Sequence, residues 1–193
     1  MNIVLASNSP RRREILNQLN INFEVIPSDF EETLINMEPI ALVEHFAYMK
    51  ALDVYERLKS NLSEETYIIG SDTIVYCDNI MGKPKSDEDA FNMLKTLSNK
   101  EHQVISGLSI IQGSTGKAVT MHESTKVWIR ELEDREILTY ISSGEPSDKA
   151  GSYAIQGIGS LFVEKIQGCY FNVVGLPVNK LFKIMKQFDI NLI

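Results

Sequence analysis

The chain has few cysteines and histidines and no long apolar run, so it offers little for a disulfide scaffold, a zinc site or a membrane span. Two cysteines, Cys77 and Cys169, occur among 193 residues; they fit a reducing cytosol, although sequence alone leaves one disulfide open. With the three histidines they show no metal-ligand spacing, so no zinc site is expected. Apolar runs are only a few residues long and the N-terminus lacks a signal-peptide pattern. These absences predict a cytoplasmic protein with no membrane partner.

The chain also lacks an excess of basic residues. It has 19 Lys and Arg against 26 Asp and Glu, a formal net charge of −7. This balance argues against a nucleic-acid partner, which favours a basic surface. It is compatible with a small anionic ligand, because a local cationic pocket can lie in an acidic protein.

The hydrophobic pattern predicts an α/β (mixed α+β) fold with a central mixed sheet, because strands alternate with helices and with long hairpins. No repeat or linker interrupts the chain, so a single domain over residues 1–193 is expected. Helices are predicted at about 10–19, 39–59, 86–97, 134–141 and 177–188. Strands are predicted at 3–6, 21–25, 67–70, 73–77, 104–111, 118–129 and 161–166, with a glycine-rich loop over 144–160.

The most informative segment is Ser7-Asn8-Ser9-Pro10-Arg11-Arg12-Arg13, between the first strand and the first helix. Cations at a helix N-terminus oppose the macrodipole, so three arginines there indicate a bound anion. Backbone N–H groups and guanidinium forks both suit a polyphosphate. The alternatives are a solvated helix start, which is what a lone basic triplet usually is, and a DNA contact, which no second basic stripe supports.

Two further motifs could face the same anion. Asp72, in Gly70-Ser71-Asp72-Thr73, is predicted at the end of an apolar strand, where ligands commonly bind in α/β proteins. There it could hold a divalent metal or accept a proton from water. Lys83 is followed by Pro84, which fixes the backbone. Taken alone, Asp72 is as well explained as a turn residue, and Lys83 as a solvated lysine.

A glycine-rich segment and an acidic pair complete the candidates. Gln156, in the segment 148–159, offers a donor and an acceptor to a base edge, and the glycines permit close backbone approach. The alternative is a flexible surface loop. Glu32, next to Glu31, could complete a metal site with Asp72, although a solvated acidic pair is the default. Neither a dinucleotide fingerprint nor a Walker loop is present.

In their order along the whole chain, these motifs resemble those of the Maf family of nucleoside triphosphate pyrophosphatases. The resemblance rests on residues 5–12, Glu32, residues 50–51, 70–73, 82–84, 148–157 and 174–177. It implies two lobes around a substrate cleft with a strongly twisted sheet, as in ITPase-like proteins, a divalent metal cofactor (Mg or Mn) and a homodimer. The implied reaction releases diphosphate from dTTP, UTP and modified pyrimidine nucleotides, a house-cleaning role that keeps non-canonical nucleotides out of nucleic acids.

The resemblance also assigns roles to individual residues. It implies that Asp72 is the proton acceptor, and that Arg11, Thr73 and Gln156 set substrate specificity as in the dTTP/UTP branch. With these roles, phosphate contacts are expected from Ser7, Arg12, Lys50, Lys83 and Lys149, and metal ligation from Glu32 and Asp72.

Two other functions stay open from sequence. One is a purine-type pyrophosphatase that cleaves inosine or xanthosine triphosphate in a similar cleft. The other is a nucleotide-binding regulator of septum formation and cell division, the process for which the family is named.

Overall fold

The computed structural model describes residues 1–33 and 36–192. Its helices are α1 (Pro10–Gln18), α2 (Pro39–Leu58), α3 (Asp87–Leu97), α4 (Asp134–Ser142), α5 (Tyr170–Val174) and α6 (Val178–Lys186). Its strands are β1 (Asn2–Leu5), β2 (Phe23–Val25), β3 (Thr66–Cys77), β4 (Asn79–Met81), β5 (Lys100–Gln112), β6 (Ala118–Ile129) and β7 (Val163–Gln167). Short 3₁₀ turns lie at Lys59–Asn61, Glu145–Asp148, Ala150–Ser152 and Gly157–Phe162.

The described strands form one mixed sheet. Its order is β2-β1-β3-β5-β6-β7, and β4 pairs with β3 outside this order. β1 runs parallel to both β2 and β3, whereas the pairs β3–β4 and β6–β7 are antiparallel. The predicted α/β class, with a mixed sheet flanked by helices, is confirmed. Among the described helices, none has both the length and the apolar character needed to cross a bilayer.

The prediction that a strand ends at Gly70 is wrong, because β3 runs unbroken from Thr66 to Cys77. A Cβ at Gly70 would lie 2.2 Å from the Ala47 carbonyl oxygen and 2.7 Å from the Ala51 nitrogen of α2. The glycine therefore allows a helix to lie directly on the strand rather than ending it. Gly107 does the same on β5, where a Cβ would lie 2.1 Å from the Val43 oxygen.

The predicted glycine-rich loop over 144–160 is also more ordered than expected. Three of the 3₁₀ turns lie in or overlap this segment, and Gly151, Ser152, Tyr153 and Ala154 are buried. Gly151 has a φ of +66°, and a Cβ there would lie 2.8 Å from Val75 Cγ2. The glycines of the segment 144–160 thus reflect positive φ angles and close packing rather than flexibility.

The chain divides into two compact units. The first comprises Met1–Asp72, Ser106–Glu123 and Gly175–Ile193, and the second comprises Thr73–Ile105 and Ser124–Val174. A core cluster in the first unit consists of Val4, Ala6, Ala51, Val54, Ile68 and Ile111. In the second unit, a buried core cluster includes Val75, Leu94, Leu97, Val127, Ile137, Tyr140 and Phe162. The single domain expected over residues 1–193 stays a prediction.

Candidate active site

In the first unit, the segment between β1 and α1 forms the predicted turn. Ser9 is the N-cap residue and Pro10 opens the helix, but the Ser9 side chain makes no capping hydrogen bond. Instead, Ser7 Oγ accepts the N–H of Ser9 at 3.2 Å. A serine hydroxyl that accepts hydrogen bonds still has its own proton to donate. Ser7 is therefore chemically suited to contact a phosphate oxygen.

Arg12 is the arginine that the fold buries. Its side chain donates from Nε to the Gly175 carbonyl at 2.9 Å and from Nη1 to Ser7 Oγ at 2.9 Å. Burial lowers the pKa of Arg12, while the carboxylates of Asp72 and Glu32 act to raise it. A guanidinium remains charged under such a shift. The fold therefore holds a fixed cation close to both carboxylates.

The other two arginines have different surroundings. Arg11 is half-buried, and its positive charge repels that of Arg12, which acts to lower the pKa of Arg12. Arg13 Nη2 donates to the carbonyl and to the Oδ1 of Asn8, at 3.3 and 3.2 Å. Arg13 therefore ties the turn to the helix, where the sequence left it without a role.

Asp72 lies in the interior of β3, so its predicted place at a strand end is wrong. It is only 5% exposed. Alternate residues of a strand share one face, and Asp72 follows Gly70 by two residues. The face that carries Asp72 is thus the face on which α2 packs, and the neighbouring turn of α2 carries Lys50.

Lys50 joins the two candidate metal ligands. Its Nζ lies 2.7 Å from Asp72 Oδ1 and 2.5 Å from Glu32 Oε1. The Lys50 and Asp72 side chains are 13% and 8% exposed, whereas Glu32 is 47% exposed. The first unit therefore brings Ser7, Arg12, Lys50, Glu32 and Asp72 into one linked set of charged and polar groups.

The residues that could hold a divalent metal are Glu32 and Asp72. The described residues contain no group of three or more His, Cys, Asp or Glu side chains suited to a metal. Mg²⁺ is commonly held by one or two carboxylates together with water and substrate phosphates. The carboxylates of Glu32 and Asp72, which both contact the Lys50 ammonium, fit that donor chemistry. Binding a metal ion requires that Lys50 release at least one of them.

The second unit carries the remaining candidates. Lys83 is exposed after β4, Thr73 and Gln156 are half-buried, and Lys149 forms an ion pair with Asp148. The Gly82 carbonyl accepts the N–H of Gly151 at 3.0 Å. This bond ties the turn that carries Lys83 to the segment that carries Lys149 and Gln156.

Sequence reasoning missed the groups that hold these side chains in place. The Gly175 carbonyl accepts from Arg12 and, at 3.3 Å, from Ser71 Oγ. The motif Gly175-Leu176-Pro177 was visible, but a carbonyl acceptor has no side-chain signature. Glu145, half-buried beside the segment of Gln156, was also missed; an acid directly after Gly144 was its only signal.

The comparisons with known proteins place the whole chain in one family. The family model described as Maf-like protein matches residues 2–188. A dTTP/UTP pyrophosphatase from Thermoanaerobacter sp. (strain X514) is 51% identical over 195 aligned positions, covering 100% of each chain. One from Caldanaerobacter subterraneus subsp. tengcongensis is 52% identical over 188 positions, 97% of this chain and 89% of its own. One from Clostridium tetani is 47% identical and covered in full. With a match that includes every candidate residue, the chain belongs to the family of Maf-like proteins.

Proposed function

We propose that the protein hydrolyses dTTP and UTP to the nucleoside monophosphate and diphosphate. The relatives that match the chain from end to end carry the name dTTP/UTP pyrophosphatase. The observation that carries the proposal is the buried carboxylate of Asp72, held 2.7 Å from the Lys50 ammonium in a set that also contains the buried Arg12. This arrangement joins a proton acceptor to cations that suit phosphates.

The chemical step assigned to Asp72 is proton acceptance. A water oxygen attacks the α-phosphorus, the bond from that phosphorus to the bridging oxygen of the β-phosphate breaks, and diphosphate leaves with the bonding electrons. The water gives its proton to the Asp72 carboxylate. A positioned general base of this kind contributes about 10²- to 10⁴-fold to a rate.

The cations hold the triphosphate and offset charge that grows on the leaving diphosphate. Arg12 and Ser7 are anchored to each other in the first unit, and a preformed donor set needs little rearrangement when charge develops. Lys50 changes partners from the two carboxylates to phosphate oxygens. Lys83 and Lys149 are proposed to contribute further positive charge to phosphate binding.

A divalent cation, Mg²⁺ or Mn²⁺, is the proposed cofactor. Glu32 and Asp72 would hold it, and when bound it would supply Lewis-acid activation and neutralise phosphate charge. With the cation bound, the cationic side chains still bind and orient the triphosphate, and Asp72 still accepts the proton of the water.

Specificity is assigned to Arg11, Thr73 and Gln156, which we propose contact the base and sugar. The Gln156 amide can both donate and accept, as required to read a uracil or thymine edge. A purine base is larger and presents a different edge, so inosine triphosphate would be a poorer substrate.

The working form proposed is a cytoplasmic homodimer that binds nucleoside triphosphates and neither nucleic acid nor membrane. The net charge of −7 supports the absence of a nucleic-acid partner.

The proposal is tested by diphosphate release from UTP, dTTP, CTP, modified pyrimidine triphosphates and inosine triphosphate, with Mg²⁺ and with Mn²⁺. We expect UTP and dTTP to exceed inosine triphosphate. Asp72→Asn should lower kcat about 10²- to 10⁴-fold while thermal unfolding stays cooperative. The exposed Asp189→Asn is the matched control and should keep full activity. Preference for inosine triphosphate would contradict the pyrimidine assignment, and wild-type turnover in Asp72→Asn would remove its role as proton acceptor.

A further inference from the structure

Within the second unit, the carboxylate of Glu145 accepts hydrogen bonds from Tyr140, Ile158 and Gly159. Tyr140 Oη donates to Oε1 at 2.9 Å, and the N–H of Gly159 reaches the same oxygen at 3.0 Å. The N–H of Ile158 donates to Oε2 at 3.0 Å. An ionised carboxylate is an acceptor only, so it matches this set of three donors.

Tyr140 fixes a second point of the same segment. Its ring is 2% exposed and packs edge-on against Phe162, with centroids 4.9 Å apart. The hydroxyl that donates to Glu145 also accepts the N–H of Ala154 at 3.2 Å. One buried phenol therefore connects Ala154 to the Glu145 carboxylate.

Together these bonds hold the chain on both sides of Gln156. Ala154 lies two residues before it and Ile158 two residues after it. A Cβ at Gly157, where φ is +68°, would lie 2.5 Å from Glu145 Oε2, and one at Gly159 would lie 2.6 Å from Tyr140 Oη. The two glycines let the backbone close around the Tyr140 and Glu145 side chains.

We propose that Glu145, seated by Tyr140, is a positioning residue for Gln156 and thereby for the choice of nucleobase. This inference rests on the proposed function, because it assigns a cause to the selectivity that Gln156 provides there. Glu145 has no part in the chemical step and contacts no substrate. Its role is to limit the backbone positions from which the Gln156 amide is presented.

The variant Glu145→Gln tests this role at nearly constant size. A glutamine has one oxygen and one NH₂ group, so one of the three donors must face another donor. We expect kcat/KM for UTP to fall about ten- to a hundredfold, the usual effect of losing a hydrogen bond to a charged group. The fall should be smaller for CTP, so that the ratio of kcat/KM for UTP to that for CTP also falls.

Glu136→Gln is the matched control. Its carboxylate also accepts three hydrogen bonds, from Arg130 Nη1 and Nη2 and from the N–H of Glu133, but none from residues 154–159. We expect this control to lower the thermal midpoint and to leave the UTP-to-CTP ratio unchanged. A selectivity loss of equal size in Glu136→Gln would show that Glu145 acts only through general stability, and would overturn the proposal.

A Gln156→Ala background separates positioning from a direct effect of Glu145. If Glu145 acts through Gln156, then Glu145→Gln should leave the UTP-to-CTP ratio of the Gln156→Ala variant unchanged. The same drop in ratio in both backgrounds would overturn the proposal, as would a wild-type ratio in Glu145→Gln alone.

Amide hydrogen exchange gives a readout that needs no turnover. Exchange at Ile158 or at Gly159 should rise about tenfold in Glu145→Gln, since the glutamine oxygen can serve only one of these two amides and leaves the other facing an NH₂ group, and should be unchanged in Glu136→Gln. Wild-type protein that hydrolyses no pyrimidine triphosphate would overturn the proposed function alone. Unchanged exchange at these amides would overturn the positioning role, whatever the substrate.

Discussion

At the scale of single residues, the candidate site depends on charged groups that satisfy one another. Lys50 forms ion pairs with two carboxylates, and Arg12 donates hydrogen bonds to Ser7 Oγ and to the Gly175 carbonyl. Removing one member of a buried ion pair leaves an uncompensated charge and is strongly destabilising. Single substitutions at this set therefore affect both stability and turnover, and assays need a folding control.

The buried His102 predicts how stability depends on pH. It is 2% exposed, its Nε2 lies 2.7 Å from Tyr153 Oη, and its Nδ1 has no hydrogen-bond partner in the part of the chain described. Burial lowers the pKa of His102 to about 4, with a smaller opposing effect from Glu101. The unfolded chain, with an ordinary histidine pKa, binds the proton more readily.

The stabilisation linked to neutral His102 is thus fully present above about pH 6.5 and is lost as the pH falls toward 4. We expect the free energy of unfolding to fall by about 2 kcal/mol between pH 7 and pH 5 from this group. In urea denaturation, the free energy of unfolding of His102→Gln should depend less steeply on pH than that of the wild type. His45→Gln is the control for loss of a histidine elsewhere, and an identical pH dependence in wild type and His102→Gln would refute the assignment.

At the scale of elements, the contact between α2 and β3 brings Lys50 to Asp72. Gly70 and Asp72 share a strand face, while Ala47, Lys50 and Ala51 share a helix face. The close approach that Gly70 permits therefore sets the distance across the Lys50–Asp72 pair.

Gly70→Ala should be destabilising because the added Cβ would meet backbone atoms of α2 at 2.2 and 2.7 Å. Overpacking of this kind costs about 1–3 kcal/mol, measured as the free energy of unfolding in urea. Turnover should also fall, since α2 must move away from Asp72. Gly82→Ala is the matched control, because among the described residues no atom beyond its two chain neighbours lies within 4 Å of its Cβ position. Its stability should change by less than about 0.5 kcal/mol; equal losses in the two variants would show that close packing at Gly70 is not the cause.

At the scale of the whole molecule, the protein is acidic, with a net charge of −7, and the candidate cationic residues are found in both units. Arg11, Arg12 and Lys50 lie in the first unit, while Lys83 and Lys149 lie in the second. A ligand that binds only the folded state stabilises it by mass action.

Saturating UTP should therefore raise the thermal midpoint of the Asp72→Asn variant, which we expect to hydrolyse it slowly. At about a hundredfold excess over Kd the gain is about 2.7 kcal/mol, which for a chain of this length corresponds to a shift of about 5 °C or more. Inosine triphosphate at the same concentration should shift the midpoint less. Equal shifts with the two nucleotides, measured by differential scanning fluorimetry, would contradict selection of the base at the binding step.

Most of the elements could be predicted from sequence because their patterns are local. The predicted helices near 10–19, 39–59, 86–97 and 134–141 lie within one residue of the observed bounds, since amphipathic spacing and capping residues act over one or two turns. The five-residue α5 was not predicted, because it is too short to show a period. The predicted strand break at Gly70 was wrong because that glycine is needed for close packing against α2, a helix distant in sequence.

The sequence by itself determined the α/β class, the family and the cationic character of the opening segment, since residue types and their order carry that information. Only the tertiary structure decided how its three arginines differ. Arg12 is buried on Ser7 and the Gly175 carbonyl, while Arg13 binds Asn8. It also placed Lys50 between Glu32 and Asp72. Gly175 lies far along the chain from Arg12, as Glu32 and Asp72 do from Lys50, and packing, rather than local pattern, brings these partners together.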